Sequence, residues 1–292
     1  MSVFYDGNGN QITIDGGSGA SAFGVTDYKL YTDNDGSARQ AVLTYDGKRL
    51  YPVNMQDQRQ DKIKVYDGGV MLTLGDSFTS MMNVNYFDPF AAKHGLVQDN
   101  RGLVSSTIAG SADGTTVGYH AFWVRLDAAV AEYAATGGHT IDGTAYTAAD
   151  VKLVTFMGGA NDWTTVDESQ GIDRLGDPTS TNKEQLHGAC KYIFDKLLAS
   201  FPNADIVVIL QPSNAAKGNY EMWRKESIVR SMAEMYGLPI CDCCFAWYNP
   251  SNPNDKATYW QSDNLHLTAA GHQAVIDKLE MVVNNLPFTR NE

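Results

Sequence analysis

From Val70 onward the apolar residues come in short solid runs, separated by longer stretches in which they recur every three or four positions. A solid run marks a strand covered on both faces, and the three-to-four spacing marks one buried face of a helix. The pattern predicts strands over Val70–Leu74, Leu96–Asn100, Val151–Phe156, Ile206–Leu210 and Leu238–Cys241. Between them it predicts helices from Thr79 to about Lys93, from Tyr119 to Ala135, from Lys183 to Phe201 and from about Tyr220 to Tyr236, with a last helix over Thr268–Leu286. Phe122, Val124, Leu126, Val130 and Tyr133 would line the buried side of the second helix, and Leu186, Cys190, Ile193, Leu197 and Leu198 that of the third. Strands alternating with helices in this way give a parallel sheet.

Residues 1–66 follow another rhythm, with short alternating segments broken by Gly and Asp and with Asn8-Gly9 and Asp46-Gly47 as hairpin turns. Tyr-Asp-Gly recurs at Tyr5, Tyr45 and Tyr66, which repeated turn chemistry explains better than a true repeat. The chain therefore divides into a β-rich segment or small module over 1–66, suited to oligomerisation or attachment, and one larger domain over 67–292. Gln56–Lys62 is the candidate linker.

The first strand runs into Gly75-Asp76-Ser77. A serine at a strand-to-helix turn presents its hydroxyl at the sheet edge and its N–H at the positive end of the next helix, where an oxyanion is stabilised. The bland reading is a helix cap. A hydroxyl becomes a nucleophile only beside a base, commonly an imidazole held by a carboxylate. Of His94, His120, His139, His187, His266 and His272, only His266 brings such a partner, in Asp263-Asn264-Leu265-His266. His187 reads as part of a surface helix, and His272, just inside the last helix, as a solvated or capping imidazole. Phe156-Met157-Gly158-Gly159-Ala160-Asn161-Asp162-Trp163 supplies a side-chain amide, Asn161, that can aim at the same oxyanion or merely satisfy a turn.

In that order, Gly75-Asp76-Ser77, Gly159-Ala160-Asn161-Asp162 and Asp263-x-x-His266 resemble the SGNH or GDSL-type hydrolases, with Phe78 in place of the usual leucine. The resemblance covers about residues 68 to 287. It implies a flavodoxin-like three-layer α/β/α sandwich around a parallel sheet, and acyl-ester hydrolysis with no metal and no organic cofactor. It makes Ser77 the nucleophile, His266 the base, Asp263 its orienting acid, and the Ser77 N–H and Asn161 part of the oxyanion hole. The family places a glycine in the loop after the second strand. Here, aligning Asn100 and Ser106-Thr107-Ile108 puts Ser105 at that position, while a looser loop brings Gly110 there; Ser105 is favoured, with its loop conformation in question if positive φ is required.

Asp76, Trp163 and Trp260 are candidate substrate contacts, and Trp247, Tyr248 and Tyr259 crowd the segment before Asp263. Aromatic faces stack on sugar rings as readily as they line acyl pockets. Because several members of the family remove O-acetyl groups from carbohydrates, the first expected substrate is an acetylated glycan, followed by short-chain lipid esters and acyl thioesters. A second reading makes the chain a glycan- or receptor-binding component of a phage tail or surface assembly, in which case a trimer is expected rather than a monomer or dimer.

Other classes fall away. No Gly-x-Ser-x-Gly elbow and no phosphate-cradling Gly-x-x-x-x-Gly-Lys motif occurs, and the dinucleotide-like Gly17-Ser18-Gly19 string leads into no helical pattern. The net charge of −12 argues against nucleic acid and anionic membranes. Met1-Ser2-Val3-Phe4-Tyr5-Asp6 is not a secretion signal, and no apolar run is long enough to span a bilayer. The expected place is the cytoplasm, a virion or a surface assembly. Cys190, Cys241, Cys243 and Cys244 form neither a disulfide framework nor a zinc pattern and suit buried free thiols.

Overall fold

The computed structural model describes the backbone of five strands within residues 2–50, and residues 63–66, 68–80, 87–113, 120–162, 173–212, 219–244 and 253–286. The chain divides into two compact units, Met1–Asp61 and Lys62–Glu292. In the first, β1 (Ser2–Tyr5) pairs antiparallel with β2 (Gln11–Ile14). β3 (Val25–Thr32), β4 (Ala38–Tyr45) and β5 (Lys48–Leu50) form an antiparallel sheet in which Tyr45 faces Lys48 across the two-residue connection at 46–47.

The second unit holds β6 (Val70–Gly75), α1 (Ser77–Ser80), α2 (Phe87–Lys93), β7 (Val97–Gly102) and α3 (Phe122–Ala134). A hairpin follows, β8 (His139–Ile141) and β9 (Thr144–Tyr146), then β10 (Val151–Met157), α4 (Leu186–Ser200), β11 (Asp205–Leu210), α5 (Asn219–Met235) and β12 (Ile240–Asp242). Helices α6 (Pro253–Tyr259) and α7 (Ala269–Asn284) close it. The strands order as β12-β11-β10-β6-β7, and every neighbouring pair is parallel. In chain order this is 2-1-3-4-5, the flavodoxin-like winding, which reverses direction between β6 and β10 and opens a crevice at their carboxyl ends.

Alternation along the strands divides the core in two. Leu72, Leu74, Val154, Phe156, Val208 and Leu210 face a cluster shared with α3, α4 and α5. Met71, Leu153, Met157, Val207 and Ile209 face the other, shared with α2 and α7. Truncating a fully buried member such as Phe156 to alanine costs about 3–5 kcal/mol.

Of the helix expected from Thr79 to Lys93, the described residues give α1 and α2, with Pro89 in the first turn of α2, where its missing N–H costs nothing. One difference from the sequence pattern has a clear cause. The β8–β9 hairpin was not anticipated; it turns on Asp142 (φ 49°) and Gly143 (φ 79°), the two positive φ values that the tight hairpin turn requires.

Candidate active site

Ser77 is the first residue of α1, immediately past the carboxyl end of β6, and is 7% exposed. The turn beneath it is fixed by Asp76, whose main-chain carbonyl accepts the Thr79 and Ser80 N–H groups and whose Oδ1 accepts the Phe78 N–H at 3.0 Å. Asp76 is wholly buried, and its second oxygen accepts Gln211 Nε2 at 2.8 Å. Burial lifts its carboxyl to about 6 against the pull of those donors and of Arg125 and His266. Both oxygens are taken, so Asp76 holds the turn.

His266 Nε2 lies 2.9 Å from Ser77 Oγ, and His266 Nδ1 lies 2.6 Å from Asp263 Oδ2. Partial burial works against the ionised form of Asp263, but the His266 side chain and the His266 and Leu265 N–H groups outweigh it and hold the carboxyl below its ordinary range. An ionised acceptor at Nδ1 puts the proton there, so Nε2 offers its lone pair to the Ser77 hydroxyl.

The loop that carries this pair is pinned at its neck. Trp260 and Leu267 form an isolated antiparallel bridge, Gln261 N–H donates to the His266 carbonyl at 2.8 Å, and Gln261 Nε2 donates to the Leu267 carbonyl at 2.8 Å. Asn264 takes φ 58°, a left-handed conformation that asparagine tolerates well. Thr268 caps α7 by accepting the Gly271 N–H. Trp260 is 3% exposed and packs with Leu267 and Val275 in the core, so its indole shapes the loop. Trp163, Trp247 and Tyr248 lie outside the described residues.

The loop after β7 carries the second departure. Ser105 has φ 63°, the left-handed conformation for which a glycine is suited, and is exposed; its N–H and that of Ser77 meet no acceptor among the described residues. Gly110, the alternative, is committed elsewhere, since its N–H donates to the Lys183 carbonyl at 3.0 Å and its carbonyl accepts Trp123 Nε1 at 2.9 Å. Asn161 Nδ2 donates to the Ser106 carbonyl at 3.1 Å, which ties the loop after β10 to the loop that holds Ser105.

Further residues support the site, and of these Lys225, Glu226 and Arg125 carried no signal in the sequence. Asp162 is buried and accepts the Ile108 and Ala109 N–H groups at 2.9 and 2.8 Å; burial raises its carboxyl to about 7 despite those bonds and Lys225. Lys225 Nζ donates to the Ala160 and Asp162 carbonyls, each at 3.1 Å. Gly159, at φ 130°, lies so close to Glu226 that an added Cβ would stand 2.9 Å from Oε1. Arg125 Nη2 donates to the Gly75 carbonyl and Ser106 Oγ, each at 2.9 Å, and its Nη1 to the Arg101 carbonyl; burial lowers its guanidinium to about 10 against the pull of Asp76.

The other histidines stay out of the site. His187 is mostly buried, donating from Nδ1 to the Leu175 carbonyl at 2.9 Å, and His272 is 2% exposed, its imidazole held down to about 3 by burial and by nearby His266. Neither is the solvated surface group that its sequence position suggested. Among the described residues, no group of His, Cys, Asp or Glu is placed to hold a metal ion, and no helix is long and apolar enough to cross a membrane.

A family model described as the GDSL-like lipase/acylhydrolase family matches residues 73–274. A solved protein from Lactobacillus plantarum is 22% identical with a TM-score of 0.58, over 75% of this chain and 98% of that one. A lipase/acylhydrolase from Enterococcus faecalis is 13% identical with a TM-score of 0.47, over 74% of this chain and 95% of that one. No curated protein matches the chain.

Proposed function

Since the chain belongs to the GDSL-like lipase/acylhydrolase family, an ester hydrolase, we propose that it is a serine esterase acting on short acyl esters, with O-acetyl groups on carbohydrate as the substrate class. The observation that carries the reading is the unbroken relay from Ser77 Oγ to His266 Nε2 at 2.9 Å and from His266 Nδ1 to Asp263 at 2.6 Å.

Ser77 Oγ attacks the acyl carbonyl as Nε2 takes its proton, and Asp263 stabilises the imidazolium that forms. The Ser77 N–H, the Ser105 N–H and the Asn161 amide receive the oxyanion. Collapse expels the alcohol, which takes its proton from Nε2 and leaves the acyl group on Ser77. Water, deprotonated by the same nitrogen, attacks that ester; the carboxylic acid departs and Ser77 recovers its proton. One ester and one water become one acid and one alcohol.

The acetyl preference is supported by exposure. Ser77 is nearly covered, at 7%, whereas the Asp263 side chain is 44% exposed, an arrangement that suits a small acyl group within and a bulky alcohol outside. The aromatic residues flanking Asn161 and Asp263 in sequence, Trp163, Trp247 and Tyr248, suit a sugar.

The test is hydrolysis of p-nitrophenyl acetate, butyrate and octanoate by the wild type and Ser77→Ala. Acetate turnover that exceeds the longer esters and vanishes in the variant supports the reading. Turnover that survives in Ser77→Ala defeats the nucleophile assignment, and a preference for octanoate defeats the short-acyl assignment.

A further inference from the structure

Gln211 closes β11 with its side chain wholly buried, and its single carboxamide is shared between two loops. Nε2 donates to Asp76 Oδ2 at 2.8 Å, one residue before Ser77, and Oε1 accepts the Ala160 N–H at 2.6 Å, one residue before Asn161. The backbone of Gln211 is itself anchored, its N–H donating to Glu226 Oε2 at 3.1 Å. We propose that Gln211 is a positioning residue that locks the Ser77 turn to the Asn161 turn, so that the nucleophile and the oxyanion amide are held in one fixed relation. The proposal rests on the roles given to Ser77 and Asn161 above.

The chemistry singles out an amide. One end must donate to a carboxylate and the other must accept a main-chain N–H, which fixes which atom is oxygen and which is nitrogen. Leucine offers neither. An ionised glutamate offers two acceptors and sets a second negative charge beside Asp76, with the buried Asp162 and Glu226 carboxyls nearby and, among the described residues, Lys225, Arg125 and His266 to offset them. As the pH falls, two carboxylates in a dry site take up one proton between them, and that proton restores a donor towards Asp76.

The arrangement can also be reversed. In the double variant D76N/Q211E the new amide at position 76 keeps its oxygen for the Phe78 N–H and donates from nitrogen to the new carboxylate, whose other oxygen accepts the Ala160 N–H. All three hydrogen bonds survive with the central one reversed in direction.

The experiment measures kcat and KM for p-nitrophenyl acetate, phosphonate labelling and thermal melting for the wild type, S77A, Q211L, Q211E, D76N and D76N/Q211E. Q211L and Q211E are expected to lose about 30- to 100-fold in kcat near pH 8 with little change in KM, because a small displacement of reacting groups costs about that much. The double variant is expected to return to within about fivefold of wild type, and the ratio of Q211E to wild type to rise about tenfold between about pH 8 and pH 5.5 as the shared proton is taken up. Wild-type kcat in Q211L, a pH-independent ratio, or a double variant no better than the single ones, whether folded or not, overturns the proposal. If S77A hydrolyses the ester, or the wild type neither hydrolyses it nor takes the phosphonate, what fails is the nucleophile reading beneath it.

Discussion

Arg125 Nη2 sits 2.9 Å from the carbonyl oxygen of Gly75, so a guanidinium from α3 grips the main chain two residues before Ser77. The same group holds Ser106 Oγ and the Arg101 carbonyl, and its cation lies 4.7 Å from the centre of the Phe122 ring. Arg125→Met would remove a charged donor shared by the Gly75 and Arg101 carbonyls and Ser106 Oγ, although Gly75 would keep the Leu103 N–H, at a cost of about 3 kcal/mol in unfolding free energy. Denaturant unfolding measures it, with Arg125→Lys expected to recover only part because an ammonium lacks the planar fork. Unchanged stability in Arg125→Met would refute the grip.

In the proposed mechanism Ser105 contributes main chain, not hydroxyl. Ser105→Gly keeps both φ 63° and the N–H, so kcat/KM for p-nitrophenyl acetate is expected to stay within about threefold of wild type. Ser105→Pro removes the N–H and forbids positive φ, and is expected to lose about a hundredfold or more. Equal activity in the two variants would remove Ser105 from the oxyanion hole.

Asp263 gives one oxygen to the imidazole and the other to the Leu265 and His266 N–H groups. Asp263→Asn presents a donor where Nδ1–H needs an acceptor and favours the wrong tautomer, so kcat is expected to fall by about a hundred- to ten-thousandfold. Steady-state kinetics check this, and a loss below about tenfold would mean that another group orients His266.

Asp162 couples stability to pH. Its carboxyl is lifted by burial to about 7, while in the unfolded chain it titrates near the ordinary value of about 4. Between the two, the folded state keeps a proton that the unfolded state has released, so its contribution to stability falls as pH rises through that window. Asp162→Asn removes its share of the slope and leaves those of Asp76 and Glu226. Denaturant midpoints across the window should show the wild type losing ground to the variant as pH increases, and parallel curves would contradict the burial argument.

The groups that meet at Ser77 could be read from the chain because each lies in a short local string: Gly-Asp-Ser ends an apolar run, and Asp263 and His266 are three residues apart. The strands were equally legible, since a sheet covered on both faces leaves solid apolar runs. Gln211, Glu226, Lys225 and Arg125 were not. On a helix, Lys225-Glu226 looks like an ordinary solvated pair, whereas in the fold both are buried and Gly159 approaches closely, so this face is turned inward. Asp76 stands beside the serine in sequence, which suggests substrate, while in the fold both its oxygens hold the turn. The hairpin after α3 had a signal, Asp142-Gly143, hidden in a polar stretch with few apolar neighbours.

Ser77 and Asn161 grow directly from adjoining strands, whereas His266 and Asp263 arrive on a loop closed by the Trp260–Leu267 bridge and the two Gln261 bonds. Regions held by few contacts open at lower free energy than the core. Warming should therefore part the base from its serine before the sheet gives way. Hydrolysis would fade below the melting temperature and return on cooling, a reversible off-state reached by loosening one loop.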